Sequence, residues 1–229
     1  MEAIVLAGGL GTRLAARLSG VPKPMAPVAG RPFLEILLNQ VARAGCGRVL
    51  LSVGHLRTVI QDHFGASFRG MRVDYAVEEA PLGTGGAIRL ALAQTTGDFA
   101  LVLNGDTFLE ADYAAMMRFH AAASVTLTMA VARQADVGRY GGVVVSGGRV
   151  VSFEEKGRTG PGWINAGAYI LRRDLAWPPN LPEKFSFERD FLAPEIGRIH
   201  PAAYEVEGFF LDIGVPEDLD RAQTELAGY

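Results

Sequence analysis

Ala3-Ile4-Val5-Leu6-Ala7-Gly8-Gly9-Leu10-Gly11-Thr12-Arg13 decides the fold. The apolar run Ala3–Ala7 is too short to span a membrane and has the length of a buried strand. Glycines cut it off, and a basic residue follows. Without a Cβ, glycine lets backbone N–H groups come close to an anionic ligand, and Arg13 adds a charged fork suited to phosphate. In open α/β sheets ligands bind beyond the carboxyl ends of the strands, where this loop falls. Two familiar loops are excluded: after Gly9 and Gly11, a dinucleotide fingerprint requires a small residue at position 14, which is Leu14, and a P-loop requires a Gly-Lys-Ser/Thr ending, whereas this loop has no lysine.

Outward from that strand, apolar runs bounded by glycines alternate with helical patterns. Phe33–Ala44 carries Phe33, Leu34, Leu37, Leu38 and Val41 at helical spacing. Arg48–Val53, Met71–Val77 and Phe99–Leu103 read as strands, and Leu56–Phe64 and Gly85–Ala93 as helices between them. This alternation predicts a mostly parallel sheet covered on both faces. Past Asp106 the pattern changes: Tyr113–His120 reads as a helix, Val125–Ala132 as a strand, and Gly142–Ser146 with Arg149–Phe153 as a hairpin turning at Gly147-Gly148. Ile164–Leu171 is a further strand, Ala176–Glu183 a proline-rich surface loop, and Phe187–Ile199 and Pro216–Leu226 are helices flanking strand-like Phe209–Ile213. The expected architecture is one α/β domain over 1–229. Its second half adds an antiparallel part.

With 22 basic and 25 acidic residues the net charge is −3, without the basic excess of a nucleic-acid binder. Cys46 is the only cysteine, which excludes an intrachain disulfide and a cysteine-rich metal site and fits a reducing compartment. The start lacks a secretory pattern and no stretch has membrane-span length, so a cytoplasmic protein without membrane or nucleic-acid partners is expected. The four histidines show no metal-ligand spacing.

A second cation sits in Val21-Pro22-Lys23-Pro24-Met25, where prolines restrict the backbone on both sides of Lys23 and aim its ammonium. Gly8-Gly9-Leu10-Gly11-Thr12-Arg13-Leu14 followed by Pro22-Lys23-Pro24 resembles the signature of the sugar-1-phosphate nucleotidyltransferases. The resemblance implies a single Rossmann-like fold of the nucleotide-diphospho-sugar transferase type, with 1–110 mainly binding nucleotide and 111–229 mainly binding sugar. It implies transfer of a nucleoside monophosphate from an NTP to a sugar 1-phosphate with Mg²⁺ and release of pyrophosphate. One local departure is Ala15-Ala16-Arg17-Leu18-Ser19, where many members have a Pro-Leu-Thr element.

Asp106, after the apolar strand ending Leu103-Asn104-Gly105, is placed to hold Mg²⁺, a hard ion that favours carboxylate and phosphate oxygens; the plainer alternative is a helix N-cap. Asp212 follows a second apolar run, and the family pairs it with the first aspartate on one metal, although Val215 stands here where Thr is frequent. Small residues in Glu79-Ala80-Pro81-Leu82-Gly83-Thr84-Gly85-Gly86 suggest that a flat base approaches the backbone, next to a helix N-terminus favourable to anions. Carried over from the family, nucleotide contacts fall on Leu6, Ala7, Gly8, Gly9, Gly11, Thr12, Arg13, Glu79, Pro81, Gly83 and Thr84. Sugar-phosphate contacts fall on Asn104, Gly142, Glu154, Lys156, Asn165 and Gly167. Arg13, Lys23 and Asp106 carry the catalysis, and Asp106 and Asp212 the metal.

Ala80, with Glu78 and Glu79 before it, is closer to guanylyl- than to thymidylyl-transferring members. The expected pair is GTP with D-glycero-α-D-manno-heptose 1-phosphate. GTP with mannose 1-phosphate and UTP with N-acetylmuramate 1-phosphate are the alternatives. A different class, a nucleotide-binding regulatory subunit without catalysis, predicts loss of Arg13, Lys23 or an aspartate, and all are present. A homo-oligomer is compatible with the sequence.

Overall fold

The structure is a computed structural model and describes residues 1–229 apart from Leu10, Thr12, Arg13, Ser19, Glu155, Lys156, Arg158 and the side chains of Ala15 and Ala16. Its first half runs β1 (Glu2–Leu6), α1 (Ala15–Leu18), a 3-10 turn (Lys23–Met25), β2 (Pro27–Val28), β3 (Arg31–Pro32), α2 (Phe33–Arg43), β4 (Arg48–Val53), α3 (Arg57–Phe64), β5 (Ser67–Phe68), β6 (Met71–Val77), α4 (Gly83–Leu92), β7 (Phe99–Asn104), β8 (Thr107–Leu109) and α5 (Tyr113–Ala123). The second half adds β9 (Leu127–Gln134), β10 (Val143–Ser146), β11 (Arg149–Phe153), β12 (Gly162–Arg172), a π-helical turn (Phe187–Leu192), α6 (Ala193–Ile199), β13 (Ala202–Val206), β14 (Phe210–Asp212) and α7 (Pro216–Glu225).

A ten-stranded sheet in the order β10-β11-β13-β9-β12-β7-β1-β4-β6-β5 runs through the molecule. β7, β1, β4 and β6 are mutually parallel, and β12 joins β7 antiparallel, so the sheet is mixed. The inner parallel strands β1, β4 and β7 are largely apolar on both faces because both faces are covered, whereas the outer β6 exposes Arg72. Ala3, Val5, Val49, Leu51, Leu101 and Leu103 enter one core with Leu34, Leu37 and Val41 of α2. Ile4, Leu50, Ala100 and Val102 enter the other with Ile88 and Ala91 of α4. Glu35 in the first turn of α2 and Arg43 in the last complement its dipole, and Gly45 past its end has φ +81°, the left-handed conformation glycine adopts without a Cβ clash.

From β1 the chain winds outward through β4 to β6, then α4 crosses back and β7 pairs with the other side of β1. The strand order therefore reverses between β1 and β7. Their carboxyl ends carry Ala7-Gly8-Gly9 and Gly105-Asp106, and a crevice opens at such a reversal. Gly105 N–H donates to Leu6 O at 3.0 Å, and a Cβ on Gly105 would stand 2.3 Å from that oxygen. Only glycine lets the two strand ends approach this closely.

Three expectations change. β13, which the sequence did not suggest, lies between β11 and β9, parallel to β9. Its alternation is written in alanines and one valine, which is too weak to read as a strand. Phe187–Ile199 is not one α-helix but a π-helical turn running into α6. Pro194 has no N–H to give the Asp190 carbonyl, and the turn before it widens. Asp106 caps no helix: Asp112 caps α5, its Oδ1 accepting from Ala115 N–H at 2.8 Å. No described helix is long and apolar enough to cross a membrane.

His120 of α5 is buried, with Nδ1 2.8 Å from Thr128 Oγ1 and its ring against Phe99. Burial first, then the positive charge of Arg172, bring its pKa down to about 4. The folded state thus refuses a proton that the unfolded chain accepts below about pH 6.5, and stability falls as pH drops from there towards 4. The full effect is on the order of 3 kcal/mol. His120→Asn keeps a polar partner for Thr128 and cannot titrate. In urea unfolding at pH 7 and pH 4.5 the variant should lose less stability on acidification than the parent. Equal losses would remove His120 from the acid response.

Candidate active site

A cleft of about 460 Å³ lies at the reversal between β1 and β7. From the glycine-rich loop, Leu6, Gly8, Gly9 and Gly11 line it, together with Lys23, Asn104, Asp106, Pro81, Gly83 and Thr84, all expected from the sequence. Ala7 is buried beneath the loop, its N–H bonded to Ser52 O at 2.8 Å. Thr12, Arg13 and Lys156 lie outside the described residues.

Lys23 opens a 3-10 turn after extended Pro22, with its side chain only 9% exposed. A Cβ on Gly11, at φ +59°, would come within 3.0 Å of the Lys23 Cβ, so the loop closes down on the lysine stem. The ammonium donates to Asp106 Oδ2 at 2.5 Å and stands 3.8 Å from Asp212 Oδ1. What joins the two carboxylates is a ribbon of which the sequence showed one strand, at Phe209–Ile213, but not its partner β8. β14 pairs antiparallel with β8, Asp212 opposite Thr107, and Ile213 N–H donates to Asp106 O at 3.0 Å. Burial and the negative charge of Asp106 raise the pKa of Asp212, while Lys23 and Arg139 oppose the rise. Its Oδ1 is buried and has no hydrogen-bond partner.

Among the described residues no cluster of three or more His, Cys, Asp or Glu forms a complete metal cage. Two adjacent carboxylates, one with an orphaned oxygen, instead fit a hard divalent cation that completes its shell with phosphate and water.

The 82–86 turn departs from expectation. Its glycines make room for protein: a Cβ on Gly83 would meet Phe185 O at 2.6 Å, one on Gly85 the Phe185 ring at 2.1 Å, and one on Gly86 Glu183 O at 2.5 Å. The helix N-terminus is partly occupied too, since Gly85 N–H donates to Phe185 O at 2.9 Å and Leu82 N–H to Glu78 Oε2 at 3.1 Å. Docking of the 183–187 segment brings Lys184 to the rim of the cleft. Nothing in the surface-loop reading of its neighbours pointed to Lys184.

Glu79 does not line this cleft; its carboxylate is 82% exposed, 3.4 Å from Arg57. Glu78 does line it, buried, accepting from Ser52 Oγ at 3.0 Å. A Cβ on Gly8 would touch Glu78 Oε1 at 2.4 Å, so this loop glycine makes room for the carboxylate. Continuing the strand alternation from Ala76 would have separated Glu78 from Glu79.

Of the residues expected to meet the sugar phosphate, the structure joins Gly142 to Glu154, whose N–H donates to Gly142 O at 2.8 Å, but neither lines the cleft. Asn165 and Gly167 form a bulge in β12, where the register with β9 shifts. The Asn165 amide, expected to face a ligand, is engaged internally. Oδ1 accepts from Gly167 N–H at 3.0 Å, and Nδ2 donates to Tyr169 OH at 2.7 Å. Gly167 presses on Asn104, where a Cβ would come within 2.6 Å of Nδ2, and Asn104 Oδ1 is buried with no partner.

A glycine loop and an aspartate at the sheet reversal, with a lysine and a second aspartate beside them, suit handling of a polyphosphate. Residues 2–228 match the Nucleotidyl transferase family, and the chain belongs to that family. It is 40% identical over 229 residues to D-glycero-alpha-D-manno-heptose 1-phosphate guanylyltransferase of Aneurinibacillus thermoaerophilus, covering 100% of both chains. It is also 40% identical over 219 residues to the protein of the same name from Campylobacter jejuni subsp. jejuni serotype O:2, covering 95% of this chain and 96% of the relative. The crystal structure of HddC from Yersinia pseudotuberculosis complexed with GMP-PN superposes with a TM-score of 0.85 at 35% identity, covering 98% of this chain and 99% of that one.

Proposed function

We propose that this nucleotidyltransferase transfers a guanylyl group from GTP to D-glycero-α-D-manno-heptose 1-phosphate, forming a GDP-sugar and pyrophosphate. The observation that carries the reaction is Lys23 with Asp106 and Asp212 beside the glycine loop; full-length likeness to two enzymes of that name supports the substrate pair.

A sugar 1-phosphate oxygen is already anionic, so it needs neither a general base nor a covalent enzyme intermediate. It attacks the α-phosphorus in line. The new P–O bond forms as the bond to the bridging oxygen breaks, and pyrophosphate leaves with that electron pair. The obstacle is repulsion between two phosphate groups, so catalysis rests on positioning and charge neutralisation. Arg13 and the loop amides hold the β- and γ-phosphates. Lys23 turns from the carboxylates to the α-phosphate and the incoming phosphate. Mg²⁺ held by Asp106 and Asp212 supplies Lewis-acid neutralisation of phosphate oxygens when bound. Asn104, with its unpartnered Oδ1, meets the sugar phosphate side, and Gly142, Glu154, Lys156, Asn165 and Gly167 shape the sugar-binding half. Lone Cys46, buried with its thiol pKa pushed up to about 11, fits a cytoplasmic setting.

Glu78 supplies the base selectivity. Each of its oxygens retains acceptor capacity beyond the bonds to Ser52 and Leu82, and the N1–H and 2-amino group of guanine are donors that match it. Hydrogen bonds to a charged group contribute about 1.5–3 kcal/mol, so Glu78→Gln should narrow the preference for GTP over ITP, which lacks the amino group, by roughly 10-fold or more. An unchanged GTP/ITP ratio of kcat/KM would separate Glu78 from the base.

The deciding experiment follows pyrophosphate release with Mg²⁺, crossing GTP, UTP, CTP, dTTP and ATP with sugar 1-phosphates that include the heptose. Release with GTP and the heptose phosphate is expected. Release with another pair keeps the mechanism and overturns the substrates, and silence by folded, nucleotide-binding protein overturns the reaction.

A further inference from the structure

Behind the cleft a relay of hydrogen bonds ties its two walls together through a residue so far given no role. Glu188, in the π-helical turn, accepts from Thr84 Oγ1 at 3.0 Å and Ser186 Oγ at 3.1 Å on Oε2, and from Tyr169 OH at 3.1 Å on Oε1. Thr84 belongs to the base-side wall and in turn accepts from Phe187 N–H at 2.8 Å. Tyr169, fully buried, takes the Asn165 amide, which holds the bulge that pushes Gly167 against Asn104 on the opposite wall.

We propose that Glu188 is a positioning residue that sets the distance between the nucleotide-side turn at Thr84 and the sugar-side bulge at Asn165–Gly167, an inference that rests on the cleft holding both substrates. A carboxylate is suited to this place because it only accepts. Three hydroxyls converge on it as donors, so the direction of every hydrogen bond in the relay is fixed. The Tyr169 hydroxyl donates to Glu188 and is thereby left to accept from Asn165 Nδ2. That in turn points Asn165 Oδ1 at Gly167 N–H. The same carboxylate orients the Thr84 hydroxyl, leaving its lone pairs for Phe187 N–H, and so fixes the segment that carries Lys184. If Tyr169 donated to Asn165 instead, the Asn165 amide would have to turn its Nδ2 against Gly167 N–H, which can only donate.

The relay has two arms that separate experimentally. Tyr169→Phe removes one hydroxyl and cuts the sugar-side arm alone. Glu188→Ala cuts both. Glu188→Gln keeps an acceptor for Tyr169 but places an amide donor against Thr84 and Ser186, so it should rescue the sugar-side arm only. Loss of one buried hydrogen bond corresponds to about a tenfold change in a binding constant. Tyr169→Phe should therefore raise KM for the sugar 1-phosphate about tenfold while KM for GTP and kcat stay within about twofold. Glu188→Ala should raise both KM values, and Glu188→Gln that for GTP alone. GTP affinity measured without any sugar adds a test that does not depend on turnover: Glu188→Ala should weaken it and Tyr169→Phe should not. Equal effects of those two variants on GTP affinity, or none from either in folded protein, overturn the relay, whereas failure of the parent protein to join GTP to any sugar phosphate overturns only the reaction.

Discussion

Asp106→Asn is expected to lower turnover by on the order of a thousandfold and leave the fold as it is. The substitution keeps the shape of the side chain and removes its charge. In the folded protein the carboxylate meets Lys23 at 2.5 Å on Oδ2 and the Thr107 hydroxyl at 3.3 Å on Oδ1, and an amide can still accept from Lys23 through its one oxygen while its Nδ2 donates to the Thr107 hydroxyl. Its charge also burdens the fold, because it contributes to raising the pKa of buried Asp212. Neutralising it relieves that repulsion, so the melting temperature should stay close to that of the parent. In the proposed reaction what is lost is one of the two anionic ligands offered to a divalent cation that gathers phosphate oxygens. Single-turnover rates at saturating GTP and metal, with melting curves beside them, check this. Near-parental turnover would remove Asp106 from the metal site, and a collapsed melting temperature would mark it as structural.

The parallel half of the fold was legible because its inner strands are buried on both faces and so are spelled largely in β-branched and aliphatic residues, while the outer β6 still alternates buried Met71 and Val73 with exposed Arg72. β4 and β6 end where the sequence placed them, at Arg48–Val53 and Met71–Val77. The second half was less legible, since its pairing is set by tertiary contacts. β13 is written with two alanines, a tyrosine, a glutamate and a valine, and it becomes a strand because β9 and β11 offer it edges on both sides. β14 falls within the strand-like Phe209–Ile213, but β8 is three residues, too short for any period, and the pairing that brings Asp212 beside Asp106 has no local signal.

The site divides in the same way. Residues whose chemistry is carried by local backbone, the loop glycines and proline-flanked Lys23, could be placed from sequence. Residues whose position depends on distant segments could not. Gly85 and Gly86 look like room for a flat ligand, but that room is filled by residues 183–185, whose approach no local pattern encodes. Asn165 looks like a free amide and is engaged by its own bulge. Glu78 and Glu79 differ only by the parity of a strand, and that parity decides which faces the cleft.

Lys23→Met separates two roles that a lysine in this position combines. Methionine fills the slot beneath Gly11 without charge. With both carboxylates and two phosphate groups then sharing one cleft, turnover should fall by about 10²–10³, the range for loss of one preorganised charge-stabilising donor. Metal binding should move in the opposite direction. In the nucleotide-free protein the ammonium stands against both aspartates, where it competes with any cation they would hold. One such contact amounts to on the order of 4 kcal/mol at an effective dielectric of about 20, and less for carboxylates that are about a third exposed. Removing it should tighten Mn²⁺ binding to the nucleotide-free protein, measured by titration calorimetry, while catalysis is lost. That pair of opposite signs is specific. A lysine needed only for folding would cost both functions, and one that touched only phosphate would leave the metal affinity alone. Unchanged or weaker Mn²⁺ binding would therefore reject the exchange in which nucleotide phosphates draw Lys23 away as the carboxylates take up the metal.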